Sequence, residues 1–164
     1  MNEKDCSDIA TKYILSTYTF TKYISFDREI ANDKGTRPDR LILIKHDFIT
    51  NIFADEKYHL HAVESKARRE HFRGLNDRNF PDPVRQIQDY HGKYRWLAVA
   101  NKILTLSEWE ILKDHCEREG IGLIVCKGRG DPEIVLEASA SAGRPWLRYP
   151  RILKNMEYVK WHVH

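Results

Sequence analysis

Four consecutive apolar residues, Leu41-Ile42-Leu43-Ile44, follow directly on Pro38-Asp39-Arg40 and constrain the fold more than any other stretch of the chain. A β-strand sends alternate side chains to opposite faces, so an unbroken apolar run needs cover on both sides. Asp39 to Ile44 is therefore predicted as a central strand, with Pro38 setting its entry. Tyr58 to Lys66 reads as a second strand that pairs with the first as a hairpin, and Tyr94 to Ala100 as another apolar strand. Gly122 to Cys126 and Glu133 to Ala138 read as two more, around a Gly-Arg-Gly-Asp turn.

Helical patterns separate these runs. Ile9, Tyr13 and Ile14 stand near helical spacing, which predicts an amphipathic helix from about Ser7 to Tyr18, with Ser7 as N-cap and Asp8 in the first turn. Tyr23 to Ile30 alternates as a half-exposed strand would, and Asn32-Asp33-Lys34-Gly35 makes a turn. Phe48 to Lys57 forms a strand end or a connecting loop, and Gly74 to Asp82 a polar loop. Asp82 as N-cap and Pro83 at the first helical position then start a helix that carries Val84, Gln86, Ile87 and Tyr90. Ser107-Glu108-Trp109-Glu110 reads as a capping box opening a helix that runs to about Glu119 and stops at Gly120. The result is an α/β chain.

At 164 residues, with 41% hydrophobic and 31% charged residues, the sequence is long and apolar enough for one domain with its own core, and too apolar for wholesale disorder. Three widely spaced cysteines, Cys6, Cys116 and Cys126, suit reduced thiols better than a disulfide framework or a thiolate zinc site. The charged start and the lack of any long apolar run predict no signal peptide and no membrane span, hence a cytoplasmic protein, or a nuclear one in a nucleated cell. A net charge of +3 says little about partners. Local clusters say more: Lys66, Arg68, Arg69 and Arg73 crowd together, and the tail from Arg144 to His164 alternates basic and aromatic residues. Both patterns suit contact with phosphates and bases, against the plainer alternative of a solvated charged face.

Residues two apart in a strand share a face, so Glu64 and Lys66 project together while Ser65 points away. If the strand from Asp39 lies antiparallel beside this one, Asp39 meets Glu64. Two converging carboxylates repel each other unless a cation offsets them, and hard oxygen donors suit Mg²⁺, with Mn²⁺ as a substitute. Such an ion polarises a phosphodiester, and Lys66 beside it would orient the attacking water or neutralise developing charge.

The order Pro38-Asp39, a buried strand, then Glu64-Ser65-Lys66 at the end of the next, resembles the PD-(D/E)XK signature of restriction-endonuclease-like nucleases. Gln86-Ile87-Gln88-Asp89-Tyr90 is similar to the QxxxY motif of the RecB-like branch, and a spacing of four puts Gln86 and Tyr90 on one helical face. The resemblance covers about residues 7–100 and implies an αβββαβ core, a mixed central sheet flanked by helices, with residues 101–164 as a C-terminal extension of one helix and further strands. It further implies a DNA nuclease in which Asp39, Glu64 and the Ser65 carbonyl hold Mg²⁺. Lys66 would be the catalytic lysine, and Gln86 and Tyr90 would support the site or contact substrate. The family's helix-borne acid maps to Asp8, with Glu3 and Glu29 as competitors. Arg68, Arg69 and Arg73 become candidate nucleic-acid contacts. QxxxY leans toward the exonuclease-type branch and the compact size toward structure-specific or junction-resolving endonucleases, small enzymes that often act as symmetric dimers, and a silent binding module or complex subunit with the same fold is the alternative.

Other residues read more plainly. His59 and His61 face away from Glu64 and cannot share its metal, so they read as a partly exposed strand face. His162 and His164 read as a frayed tail, and Lys127-Gly128-Arg129-Gly130 as a hairpin turn rather than a phosphate loop. Trp146, Tyr149, Tyr158 and Trp161 either stack on bases or, more plainly, pack on the domain or a dimer mate.

Overall fold

A computed structural model describes residues 1–19, 21–27, 30–46, 56–72, 75, 82–155 and 161–163. In chain order the elements are α1 (Glu3–Ser16), β1 (Lys22–Asp27), β2 (Arg40–Lys45), β3 (Tyr58–Lys66), a 3₁₀ turn (Arg69–Phe72), α2 (Asp82–Gln88), β4 (Tyr94–Ala100), α3 (Leu106–Glu119), β5 (Gly122–Cys126), β6 (Glu133–Leu136), a second 3₁₀ turn (Pro145–Arg148), α4 (Pro150–Asn155) and β7 (His162–Val163). The seven strands form one mixed sheet in the order β6-β5-β4-β3-β2-β1-β7. β3, β4 and β5 run parallel, and the remaining pairs are antiparallel.

The apolar run of β2 is divided between two cores. Leu41 and Leu43 pack on one face with Leu60, Ala62, Leu97, Val99 and Leu123, under Val84 and Ile87 of α2 and Leu112 and Cys116 of α3. Ile42 and Ile44 pack on the other with Val63, Trp96, Ala98 and Ile124, under Cys6, Ala10, Ile14 and Leu15 of α1. Strand pleating thus turns one continuous run into both floors of a helix–sheet–helix sandwich. α1 runs antiparallel to β3, so its first turn and the C-terminal ends of β3, β4 and β5 lie at the same end of the sheet: Ser7 meets Ser65, and Cys6 meets Cys126, whereas Tyr13 reaches Trp96 at the start of β4.

Several boundaries differ from the sequence reading. α1 begins at Glu3, because Asn2 and Asp5 exchange side-chain-to-backbone bonds in a capping box. Ser7 is therefore inside the helix, buried against the sheet, with its Oγ 2.7 Å from Ser65 Oγ. The capping box of α3 is Thr105 with Glu108, two residues before the predicted one, and Gly120 ends the helix in the left-handed region at φ 68°. β1 stops at Asp27 and β6 at Leu136, where a register shift separates Leu123 and Ile124. His162, expected in a frayed tail, lies instead in β7, where it and Val163 pair with Tyr23 and Lys22 along the outer edge of β1. Trp146 and Tyr149 are buried in the first core, so packing on the chain itself, not base stacking, is their role. Tyr158, His164, residues 47–55 and most of the predicted loop at 74–82 lie outside the described residues.

Candidate active site

The antiparallel register sets Arg40 opposite Val63, which carries Asp39, one residue earlier, toward Glu64. Asp39 Oδ2 accepts the backbone N–H of Ser65 at 2.8 Å. This pins a carboxylate at the end of β3, whose even-numbered residues, Glu64 and Lys66, share the face of Leu60 and Ala62.

Glu64 is 2% exposed, and both of its oxygens are engaged. Lys66 Nζ lies 2.5 Å from Oε1, and the Tyr90 hydroxyl donates to Oε2 at 2.5 Å. Burial, reinforced by the neighbouring Asp39 charge, raises the Glu64 carboxyl above its ordinary value against the opposing pull of Lys66 and Tyr90. Burial and the Glu64 charge raise the Tyr90 phenol, and Gln86 hydrogen-bonds to it. The predicted i, i+4 pairing of Gln86 and Tyr90 on one helix is corrected in its means: α2 ends at Gln88, and Tyr90 lies beyond it with its N–H on the Ile87 carbonyl at 3.0 Å. The turn, not the helix face, delivers Tyr90 to Glu64.

Glu3, Arg37, Asp39, Glu64, Lys66, His71 and Gln86 line a cleft of about 490 Å³. The acid that α1 contributes to it is Glu3, with His71 Nδ1 3.3 Å from its Oε1. Asp8 stands more than a turn further along the helix, holding Arg40 Nη2 at 2.8 Å through Oδ1 and Lys4 Nζ at 2.9 Å through Oδ2. Partial burial works against its charge, but the Lys4 and Arg40 contacts prevail and hold its carboxyl below the ordinary value. Glu29 lies outside the described residues.

The basic stretch divides. Arg68 is exposed and has no ion-pair partner among the described residues. Arg69 ties the 3₁₀ turn to α3, bonding Glu108 Oε1 and reaching the Ile103 carbonyl at 3.4 Å, which leaves it poorly placed for a phosphate. Arg73 lies outside the described residues. Two cleft residues escaped the sequence reading, Arg37 and His71. Arg37 immediately precedes Pro38-Asp39, and that adjacency was the available signal; His71 is brought in only by the 3₁₀ turn after β3.

Across the sheet, His59 and His61 indeed face away from Glu64, within an aromatic cluster. Trp96 Nε1 donates to His61 Nδ1 at 3.0 Å, so the proton of this neutral ring sits on Nε2 and points to Tyr18 Oη at 2.6 Å. The Tyr18 hydroxyl is then left to donate to His59 Nδ1 at 3.1 Å. Burial lowers His61 to about 3 and His59 to about 4, which keeps both rings neutral. His61 is fully buried rather than part of an exposed face.

All three cysteines are free, buried thiols. Among the described residues, no group of three His, Cys, Asp or Glu side chains stands ready to hold a metal ion, and no helix is long and apolar enough to cross a membrane. No family model matches the chain, and no curated protein sequence matches it.

Proposed function

We propose that the chain is a metal-dependent nuclease that hydrolyses DNA phosphodiester bonds at the Asp39, Glu64, Lys66 cleft. The observation that carries this reading is the convergence, in one concave site, of the Asp39 carboxylate just before β2 with the Glu64 carboxylate and Lys66 ammonium of β3, backed by Tyr90 and Gln86. The element order α1-β1-β2-β3-α2-β4 agrees with the restriction-endonuclease-like core implied by the PD-(D/E)XK resemblance.

The donor chemistry fits a hard divalent cation. Asp39 and Glu64 offer carboxylate oxygens, Glu3 supplies a further acid, and the PD-(D/E)XK resemblance would add the Ser65 carbonyl. Burial first, and the Asp39 charge second, raise the Glu64 carboxyl, and a cation bound beside it would offset both. Bound there, Mg²⁺ or Mn²⁺ would polarise the phosphodiester and acidify a water molecule. Lys66 would orient that water and neutralise charge on the phosphate, while Tyr90 holds the Glu64 carboxylate in place. Arg37, exposed at the rim, suits a neighbouring phosphate.

One observation favours a second reading, a nucleic-acid-binding module with a silent site: both Glu64 oxygens already have partners in Lys66 and Tyr90, an arrangement that is stable without a metal. Cleavage of labelled linear, circular, single-stranded and branched DNA with Mg²⁺, Mn²⁺ or EDTA, beside Glu64→Ala and Lys66→Ala, separates the two. Metal-dependent cutting that both variants abolish supports the nuclease. Binding without cutting supports the silent module, and cutting that survives in either variant removes the mechanism.

A further inference from the structure

We infer that a second, larger cleft beside the carboxylates is a nucleotide pocket, so that the protein takes a polynucleotide strand unpaired next to the cleaved bond rather than a continuous duplex. The inference rests on the phosphodiesterase reading for the chemistry but on a different cleft for recognition. This concavity, of about 770 Å³, lies between the first turn of α1 and the segment that follows β3, and it shares Glu3, Asp39 and His71 with the carboxylate cleft. Anything lying in it abuts the candidate reaction centre.

Its lining has the two chemistries that a nucleotide presents. Met1, Ala67 and the His71 ring supply apolar and flat surface for a base, and Lys4 and Arg68 supply cationic heads for phosphate. The Lys4 side chain is 76% exposed although its Nζ pairs with Asp8 at 2.9 Å, and Arg68 is exposed with no ion-pair partner among the described residues. Arg37 has the same two properties in the carboxylate cleft. The acids and Lys66 are thus accompanied by an uncommitted guanidinium in each of the two joined clefts, an arrangement suited to a phosphate backbone that continues past the cleaved position.

Shape decides between strand and duplex. A cleft of several hundred Å³ is of the size that encloses a small organic ligand. A base within a duplex is stacked above and below and hydrogen-bonded to its partner, so it cannot enter a concavity without being turned out. An unpaired nucleotide enters with no such penalty, and the contacts that Lys4 and Arg68 make to its phosphate carry no sequence information.

The test measures binding of the full chain to a fluorescent 12-nucleotide single strand and to the matching blunt duplex, by anisotropy in EDTA, where a metal-dependent enzyme cannot cut. The single strand should bind at least tenfold more tightly. Arg68→Glu and Lys4→Glu should each weaken it about tenfold and flatten its salt dependence, whereas Arg118→Glu, on the C-terminal turn of α3, should change neither. Duplex binding equal to or tighter than single-strand binding, indifference to both reversals, or no single-strand binding at all overturns the pocket. Parallel cleavage assays keep the two claims apart. Arg68-dependent single-strand binding without cleavage leaves the pocket standing and removes the nuclease; Glu64-dependent cleavage of continuous duplex, indifferent to Arg68→Glu, does the reverse.

Discussion

Glu64 carries the chemical tension of the molecule in one side chain. Its carboxyl is buried beside Asp39, and burial first, then that neighbouring charge, raises its pKa in the folded state. A carboxylate whose pKa rises on folding destabilises the fold where it is ionised; the penalty is full above the raised folded value and fades as pH falls from there toward the ordinary value. Glu64→Gln should therefore raise the melting temperature at neutral pH in EDTA while abolishing cleavage; an unchanged or lower melting temperature would show that the Lys66 and Tyr90 contacts outweigh the burial. Mg²⁺ or Mn²⁺ should raise the melting temperature of the wild type and not of Glu64→Gln, since an ion that binds only the native site stabilises it by mass action. His61 acts with the opposite sign. Its pKa falls from the ordinary 6.5 to about 3 on folding, so its contribution is complete above pH 6.5 and is lost as pH falls from there toward 3, by up to about 1.4 kcal/mol per pH unit. His59, lowered to about 4, adds to the same window. A melting temperature that drops between pH 6.5 and 5, less steeply in His61→Gln, is the expected result.

Among the elements, α3 shows how a local signal acts through a neighbour. Thr105 accepts from the Glu108 N–H, and Glu108 reaches back to the Thr105 N–H, so two otherwise orphaned donors are satisfied. Glu108 also takes the Arg69 guanidinium from the turn after β3, linking the α3 cap to the segment beside the candidate site. Thr105→Ala should cost about 1 kcal/mol, read as a fall of roughly 2–4 °C in melting temperature, with little effect on DNA binding. The start of β5 is tight for a separate reason. A Cβ at Gly122 would stand 2.3 Å from the Trp96 ring and 2.8 Å from the Ala138 backbone nitrogen, so only glycine lets β5 approach β4 there.

At the scale of the whole molecule, the C-terminal segment is part of the core. Trp146 and Tyr149 are buried with Tyr58, Leu60 and Ile152, and the Tyr149 hydroxyl donates to the His91 carbonyl at 2.7 Å. Trp146→Ala should cost about 3–5 kcal/mol by leaving a large cavity, measured as a lower urea midpoint; a surface docking role for this residue would predict an unchanged midpoint. β4 and β5 were legible to the residue, because a central strand announces itself by a continuous apolar run that depends only on its own side chains. The shared face of Glu64 and Lys66 was legible too, since the pleat is a local geometry. Helix starts were less so: Asn2 and Thr105 cap where Ser7 and Ser107 also carry the right hydroxyl, and only the surrounding packing selects between such candidates. Thus the sequence by itself determined an α/β sheet covered on both faces and a carboxylate–lysine pair on one of them. The tertiary structure alone decided that Asp39 meets the Ser65 N–H, that Tyr90 reaches Glu64 from beyond its helix, that Glu3 rather than Asp8 enters the cleft, and that His162 and Val163 pair with β1 at the sheet edge. Each of these joins segments far apart in the chain, and such contacts follow from how whole elements pack rather than from any local pattern of residues.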